Sequence, residues 1–223
     1  MAGDPFAADR AAMVERQLRR RGIIDARVLA AMGAVPRERF VPTELRSHAY
    51  DDAALPIAGG QAISQPYIVA WMTELLQVMP GGIVLEVGTG SGYQAAVLAT
   101  IGARVRSIER LPELAAGARE RLAGLGLGDL VEVIVADGSL GDPGTAPHAR
   151  VIVTAGAPTV PAPLLDQLAE GGRLVVPVGP ASAQELILVT RTLGQLTETP
   201  VGGCAFVPLI GVAGFRPGED GPV

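Results

Sequence analysis

From residue 66 onward the apolar positions follow two alternating rhythms. Ile68, Val69, Met72, Leu75, Leu76 and Met79 recur at helical spacing behind Pro66, a residue suited to the first turn of a helix. Short β-branched runs come next: "IVLEV" (83–87), "RVRSI" (104–108), "VEVIV" (131–135), "RVIVT" (150–154), "RLVVPV" (173–178) and "ELILVT" (185–190). Helical stretches at about 91–101 and 112–125 separate the first three, and another falls at 161–170. This alternation predicts an α/β fold, a doubly wound and mostly parallel sheet wrapped by helices. A last run, "CAFVPLIG" (204–211), is expected to add an edge strand, because Pro208 cannot donate to a central ladder.

The first third of the chain reads differently. Residues 8–21 and 25–33 have the pattern of short helices before the prolines of "VPRERFVP" (35–42) interrupt it. A Gly- and Pro-rich stretch, 54–60, then leads into "GGQAISQPYIV" (59–69). No internal repeat is visible. Three parts are expected: an N-terminal helical extension (1–60) packed on the core, the core itself (61–213), and a loose Gly/Pro-rich tail (214–223).

The segment "VLEVGTGSGYQ" follows the first strand and opens a helix. Gly88, Gly90 and Gly92 let the backbone turn sharply and leave room for a ligand to approach it. The spacing is G-x-G-x-G, whereas a dinucleotide fingerprint reads G-x-G-x-x-G and wants a small residue where Tyr93 stands. Glu86 would repel a pyrophosphate and suits a cationic amino group instead. Glu109 ends the second strand, 17 positions beyond Gly92 (109 − 92), where a carboxylate accepts both ribose hydroxyls. Asp137 and Gly138 end the third strand at the same edge, within reach of an adenine amino group. Ribose, adenine and a cationic amino-acid tail together describe S-adenosylmethionine. Glycine loops also occur as plain tight turns, and each acid alone has the reading of an ordinary strand-end residue. Their convergence on one sheet edge favours the ligand.

Composition narrows the chemistry. Hydrophobic residues make up 48% against 18% charged, enough for a buried core. The net charge of −5 argues against a nucleic-acid partner. All 18 basic residues are arginine, so lysine Schiff-base chemistry is excluded. The single cysteine, Cys204, rules out an intrachain disulfide and suits a reducing cytoplasm. No apolar run has the length of a membrane span, and no signal peptide is apparent at the N-terminus. His48 and His148 are the only imidazoles, neither in a metal-ligand spacing, so no metal site is expected; both read as surface or loop residues. Trp71 reads as core. Ser64 has no histidine or cysteine within 15 residues, so it lacks the base that a nucleophilic serine needs. It is either a cap for the helix starting near Pro66 or an orienting hydroxyl, and the two roles are compatible.

The segments "LPIAGGQAISQP" (55–66), "VLEVGTGSGYQAAVLA" (84–99), "VRSIER" (105–110), "ADGSLG" (136–141), "RVIVTAGAP" (150–158), "GGRLVVPVG" (171–179) and "FVPL" (206–209) resemble the protein-L-isoaspartate O-methyltransferase family. The match runs in order from about residue 10 to 213, and the Gly-Gln-x-Ile-Ser-x-Pro segment is its most specific part. The resemblance implies a Rossmann-like, S-adenosylmethionine-dependent methyltransferase. Such enzymes methylate the free α-carboxylate of L-isoaspartyl residues in damaged proteins and peptides, and release S-adenosylhomocysteine. The ester then closes to a succinimide, whose hydrolysis returns some normal aspartate.

This acceptor makes sense of Ser64. A carboxylate is ionised at neutral pH and needs no general base, only alignment, loss of water and a short approach to the methyl group. The family likeness therefore implies Ser64 as the catalytic residue, holding one carboxylate oxygen. It implies Gln65, Glu86, Gly88, Thr89, Gly90, Gly92, Glu109, Arg110, Asp137 and Gly138 as cofactor contacts. Ile63, with Val207, Pro208 and Leu209, would line the substrate groove, the "FVPL" backbone holding a peptide by main-chain hydrogen bonds. Three positions depart from the family pattern: Val69 where a His is common, Ala149 where an Asp is usual, and "ADG" in place of "GDG". Rival readings are a biosynthetic relative that esterifies an aspartate in one dedicated peptide, methyl transfer to RNA or a small molecule, and a cofactor-binding regulator without catalysis. A cytoplasmic monomer is expected, with no nucleic-acid or membrane partner and no metal.

Overall fold

The computed structural model describes residues 4–180 and 183–218. The helix α1 (Ala7–Met13) runs on through a π turn and a 3-10 turn to Arg21, and ends at Gly22, whose φ of 95° suits a residue without a side chain. Asp25 starts α2 (Ala26–Ala34) by accepting a hydrogen bond from the Arg27 backbone N–H at 2.8 Å. A narrow antiparallel hairpin, β1 (Leu55–Pro56) against β2 (Ala62–Ile63), then delivers the chain to α3 (Pro66–Leu76). Pro66 opens α3, as its fixed φ and missing N–H allow, and Gln77 closes it in the left-handed region.

The rest of the chain lays down β3 (Ile83–Val87), α4 (Tyr93–Thr100), β4 (Arg104–Glu109), α5 (Pro112–Gly124), β5 (Val131–Val135), β6 (His148–Val153), α6 (Ala162–Asp166), β7 (Leu168–Val178), β8 (Gln184–Thr192) and β9 (Gln195–Cys204). Among the described residues the main sheet has seven strands, in the order β5-β4-β3-β6-β7-β8-β9. The first five are parallel, and β8 and β9 return antiparallel as a meander. In register, Leu85 of β3 lies between Arg106 of β4 and Val151 of β6. The chain steps outward from β3 through β4 to β5, then returns to place β6 on the other side of β3. A crevice forms at such a switch point, beyond the carboxyl ends of the strands.

Alternation along the parallel strands buries both faces. Val84 and Val105 join one cluster with Leu76 and Leu98, and Met13, Leu18, Met32 and Phe40 belong to that same cluster. The first 60 residues therefore share a core with the sheet. Phe40 meets Tyr93 edge-to-face at 5.4 Å between ring centroids, tying the N-terminal region to α4. Leu85, Val87, Val151, Val153, Leu174 and Val176 face the other way, where Leu164 of α6 covers them.

The expected elements are in place, with three differences. Residues 204–211 do not form the edge strand; β9 does, one segment earlier, carrying Pro200 beside a bulge where Leu186 pairs with Gly202 and Ile187 with Pro200. The 204–211 segment instead crosses above the sheet, pairing Pro208 with Gly156 just past the end of β6. The helix expected at 161–170 is only five residues long, because the chain from Leu168 is already paired with His148 of β6. The tail expected at 214–223 begins with a tied stretch: Phe215 N–H donates to the Leu209 carbonyl at 2.8 Å, and Gly211 N–H to the Phe215 carbonyl at 3.1 Å. Residues 219–223 of that tail lie outside the described residues.

Candidate active site

The loop after β3 carries Gly88, Gly90 and Gly92 at φ of 96°, 52° and 89°. A side chain at Gly88 would be strained by that backbone, and its Cβ would fall 2.5 Å from Thr154 Oγ1. Thr154, at the end of β6, donates to the Gly88 carbonyl at 2.5 Å, so two neighbouring strand ends are clamped around the bare loop. The backbone is thereby exposed to a cleft. Ile63, Ser64, Gly88, Thr89, Gly90, Glu109, Arg110, Gly138, Val207, Pro208 and Leu209 all line it.

Each expected acid takes a distinct place. Glu109 lines the cleft, 7% exposed; its Oε2 accepts from Gly90 N–H at 2.8 Å and its Oε1 from Leu111 N–H at 3.0 Å. A carboxylate has about four acceptor positions, so both oxygens retain capacity for ribose hydroxyls. Glu86 does not line the cleft. It is fully buried, and its Oε2 accepts from Ser107 Oγ, which is hydrogen-bonded in turn to Thr89 Oγ1 of the glycine loop. Burial, reinforced by the nearby Glu109 charge and opposed by the Ser107 hydrogen bond, pushes the Glu86 carboxyl up to about 8. Its Oε1 has no protein partner. Asp137 lies outside the cleft lining and holds protein instead. Its Oδ1 accepts from Ser139 N–H at 2.9 Å and Ser139 Oγ at 2.7 Å, and its Oδ2 from Val212 N–H at 2.7 Å. Those hydrogen bonds hold its carboxyl below the ordinary aspartate value, against the opposing effect of burial.

Ser64 sits between β2 and α3, on the rim facing the glycine loop. It does not cap α3: Gln65 occupies the N-cap position, and no side chain bonds to the helix start. Gln65 turns away from the cleft, its amide donating to the Asp52 carbonyl at 3.0 Å and to Asp52 Oδ1 at 2.8 Å. Gly92 opens α4 in the left-handed region and is likewise outside the cleft lining.

The "FVPL" segment forms the opposite wall. Val207 carbonyl accepts from Gly156 N–H at 2.8 Å, and Leu209 N–H donates to the Gly156 carbonyl at 2.7 Å. Gln184, 4% exposed, takes both backbone groups of Phe206: Oε1 accepts at 2.7 Å and Nε2 donates at 3.0 Å. With these bonds made, the main-chain groups still free on the segment among the described residues are the Val207 N–H and the Pro208 carbonyl.

Thr154, Gln184 and Arg37 escaped the sequence reading. The first two sit inside or beside recognised stretches, but nothing in their spacing distinguishes a buried clamp from a surface polar residue. His148, expected on the surface, is buried at the start of β6, its Nε2 hydrogen-bonded to the Asp142 carbonyl at 3.0 Å. His48 is exposed and paired with Asp51. Trp71 is half-buried, stacked on Tyr67 with centroids 5.8 Å apart and facing away from the cleft. Among the described residues, no three His, Cys, Asp or Glu side chains are grouped to hold a metal ion.

The chain was compared with known families, curated proteins and solved structures. The family model described as protein-L-isoaspartate(D-aspartate) O-methyltransferase matches residues 8–214. A protein-L-isoaspartate O-methyltransferase of Methanoculleus marisnigri is 53% identical over 222 residues, covering 100% of both chains. One from Methanopyrus kandleri is 52% identical over 220 residues, covering 96% of this chain and 97% of its own. A solved structure described as the Plasmodium falciparum protein-L-isoaspartate O-methyltransferase with S-adenosyl-L-homocysteine superposes at a TM-score of 0.78 with 26% identity, covering 90% of this chain and 98% of that one. Another solved protein-L-isoaspartate O-methyltransferase gives a TM-score of 0.80 at 28% identity, covering 92% of this chain and 67% of that one.

Proposed function

The chain belongs to the protein-L-isoaspartate(D-aspartate) O-methyltransferase family, and from that premise we propose how its own residues carry the reaction. The enzyme uses S-adenosylmethionine to methylate the free α-carboxylate of L-isoaspartyl residues in damaged proteins and peptides, the first step of their repair through a succinimide. Dedicated-peptide and non-catalytic alternatives gain nothing from the family match.

The residues present fit the cofactor. A bare glycine backbone faces the cleft and Glu109 has acceptor capacity left for ribose hydroxyls, while the buried Glu86 supports the loop from behind through Ser107 and Thr89. Gly138 and Arg110 lie on the adenine side of that cleft in this reading. Asp137 would act there through Ser139 and the segment it holds at Val212, and Gln65 through Asp52. When bound, S-adenosylmethionine supplies an electrophilic methyl carbon, which the acceptor oxygen takes as the carbon–sulfur bond breaks toward sulfur.

One observation carries the reading of Ser64. Ser64 lines the same cleft as the glycine loop, and no histidine, lysine or cysteine is among the lining residues. Such a site lacks the imidazole, amine or thiol that most often activates an alcohol or amine. Its one lining carboxylate is engaged by the Gly90 and Leu111 N–H groups, and a carboxylate acceptor needs no activation. Ser64 donates to one acceptor oxygen and leaves the other aimed at the methyl group. Ile63, Leu209 and their apolar neighbours exclude water, while Val207 N–H and the Pro208 carbonyl meet the acceptor's backbone. Backbone contacts of this kind tolerate many flanking sequences, as a repair enzyme requires.

We take residues 1–60 as a helical extension that shares its hydrophobic core with the sheet, and residues 61–213 as the methyltransferase core. We take the enzyme to work as a monomer in the cytoplasm, without nucleic acid. The net charge of −5 and the single cysteine support this, and no helix among the described residues is long and apolar enough to cross a membrane. Paired isoaspartyl and aspartyl versions of one peptide test the acceptor. Methyl incorporation is expected into the isoaspartyl form alone; equal incorporation into both would sink the assignment.

A further inference from the structure

Arg37 is a buried cation that the mechanism above leaves unused. It stands in the short 3-10 turn of "VPRERFVP" and is 0% exposed. Its Nε donates to the Ala49 carbonyl and its Nη2 to the Ser64 carbonyl, each at 2.7 Å. The guanidinium carbon lies 4.8 Å from the centroid of the Tyr93 ring. Its backbone N–H donates to the Tyr50 hydroxyl at 3.2 Å. Nη1 makes no well-formed hydrogen bond, although the neighbouring Tyr93 hydroxyl favours the charge.

The charge is uncompensated. No carboxylate forms an ion pair with Arg37 among the described residues, and the groups acting on it electrostatically are Tyr93 and Tyr50. The neighbouring Glu38 is already engaged, accepting from the Tyr50 hydroxyl at 2.5 Å and pairing with Arg10 at 3.5 Å. A guanidinium stays protonated even when buried, and burying it without an anion costs several kcal/mol. Both Ser64 and Tyr93, which Arg37 touches, line the cleft. The missing anion therefore has an obvious address, on the other side of Ser64.

We propose that Arg37 is a positioning residue for the acceptor: it fixes the Ser64 peptide through its carbonyl and supplies, from behind it, the positive potential that selects an ionised carboxylate. This rests on the reading of Ser64 as the acceptor site. Other charges near that site are Glu109 and Arg110 in the cleft, and Arg21 and Asp52 beyond Ser64, which neutralise one another at 2.9 Å. Arg37 is the charge that touches Ser64 itself. Methyl transfer consumes the acceptor's charge, so a fixed cation favours the bound ground state as much as the transition state or more. Its effect belongs in KM more than in kcat.

The test compares an isoaspartyl peptide with its neutral α-carboxamide analogue, both bound by calorimetry to enzyme saturated with S-adenosylhomocysteine. Wild type is expected to prefer the carboxylate by about tenfold or more, as a unit charge at the edge of a protein interior provides. Arg37→Met is expected to lose that preference and to raise KM for the peptide by more than it lowers kcat, with cofactor affinity nearly unchanged. Arg37→Lys, which keeps the charge, is expected to retain most of it. Ser64→Ala is expected to weaken both ligands, the carboxylate somewhat more because its hydrogen bond is charge-assisted, and to leave most of the preference standing. A wild-type enzyme with no preference overturns the proposal without any variant having to fold. So does a preference that survives in Arg37→Met, or one lost equally in the lysine variant. If Ser64→Ala changes neither ligand, the acceptor site itself lies elsewhere, and the failure belongs to that earlier reading.

Discussion

Ser64 stands two residues ahead of α3 and makes no side-chain hydrogen bond among the described residues, so the fold makes no demand on its hydroxyl. Its removal should therefore be felt in chemistry and not in stability. Ser64→Ala is expected to shift unfolding free energy by less than about 0.5 kcal/mol, the range of changes away from structural features. Turnover on an isoaspartyl peptide should fall about tenfold to a hundredfold, the equivalent of one hydrogen bond to a charged group. Steady-state rates beside a urea titration check both halves; unchanged turnover, or a collapse of stability, contradicts the role. Residues of this kind were the most legible in the sequence. A hydroxyl without a base, just before a helix-opening proline, is an anomaly that can be read directly. Arg37 was not legible, because a run such as "VPRERFVP" looks like an ordinary charged surface turn until the fold buries one of its arginines.

Between elements, the carboxyl ends of β3 and β4 are joined by the chain from Glu86 through Ser107 to Thr89. The sequence placed Glu86 and Glu109 together at one sheet edge, and they stand near the carboxyl ends of β3 and β4. It could not show that Glu109 points into the cleft while Glu86 is sealed behind the loop, since that depends on which face of each strand meets α4. With its carboxyl pushed up to about 8 from 4.5, Glu86 binds its proton more tightly in the folded state than in the unfolded one. Its contribution to stability is then fully present below pH 4.5 and is lost as pH rises to about 8. In the cofactor-free protein, urea midpoints should decline with pH across this window more steeply in wild type than in Glu86→Gln. Parallel curves would show that Glu86 is ionised in the fold. The strand β9 was missed for a related reason. Its sequence, "QLTETPVGGC", is polar, carries a proline and two glycines, and pairs along one edge only, so neither periodicity nor burial marks it.

At the scale of the whole molecule, the parallel half of the sheet was legible because strands buried on both faces read as continuous β-branched runs. The contribution of the first 60 residues was not. Their helices were expected to pack on the core, and they share one with the sheet, but nothing in their pattern showed that they carry the cation that touches Ser64. What unites the site is the acceptor it can serve. An enzyme that methylates a group already ionised needs walls, one hydroxyl and a bound cofactor, and the cleft's lining supplies the walls and the hydroxyl without a histidine, lysine or cysteine. The most direct measurement is single-turnover methyl transfer to an isoaspartyl peptide as a function of pH, at saturating S-adenosylmethionine and with ester cyclisation scored separately. The rate is expected to be nearly flat from about pH 6 to 8, because the acceptor carboxylate, with a reference pKa of about 3.5 to 4, is ionised throughout. A rise of about tenfold across that window, centred near the histidine reference value and abolished by His48→Gln or His148→Gln, would contradict it by showing that a protein base takes part.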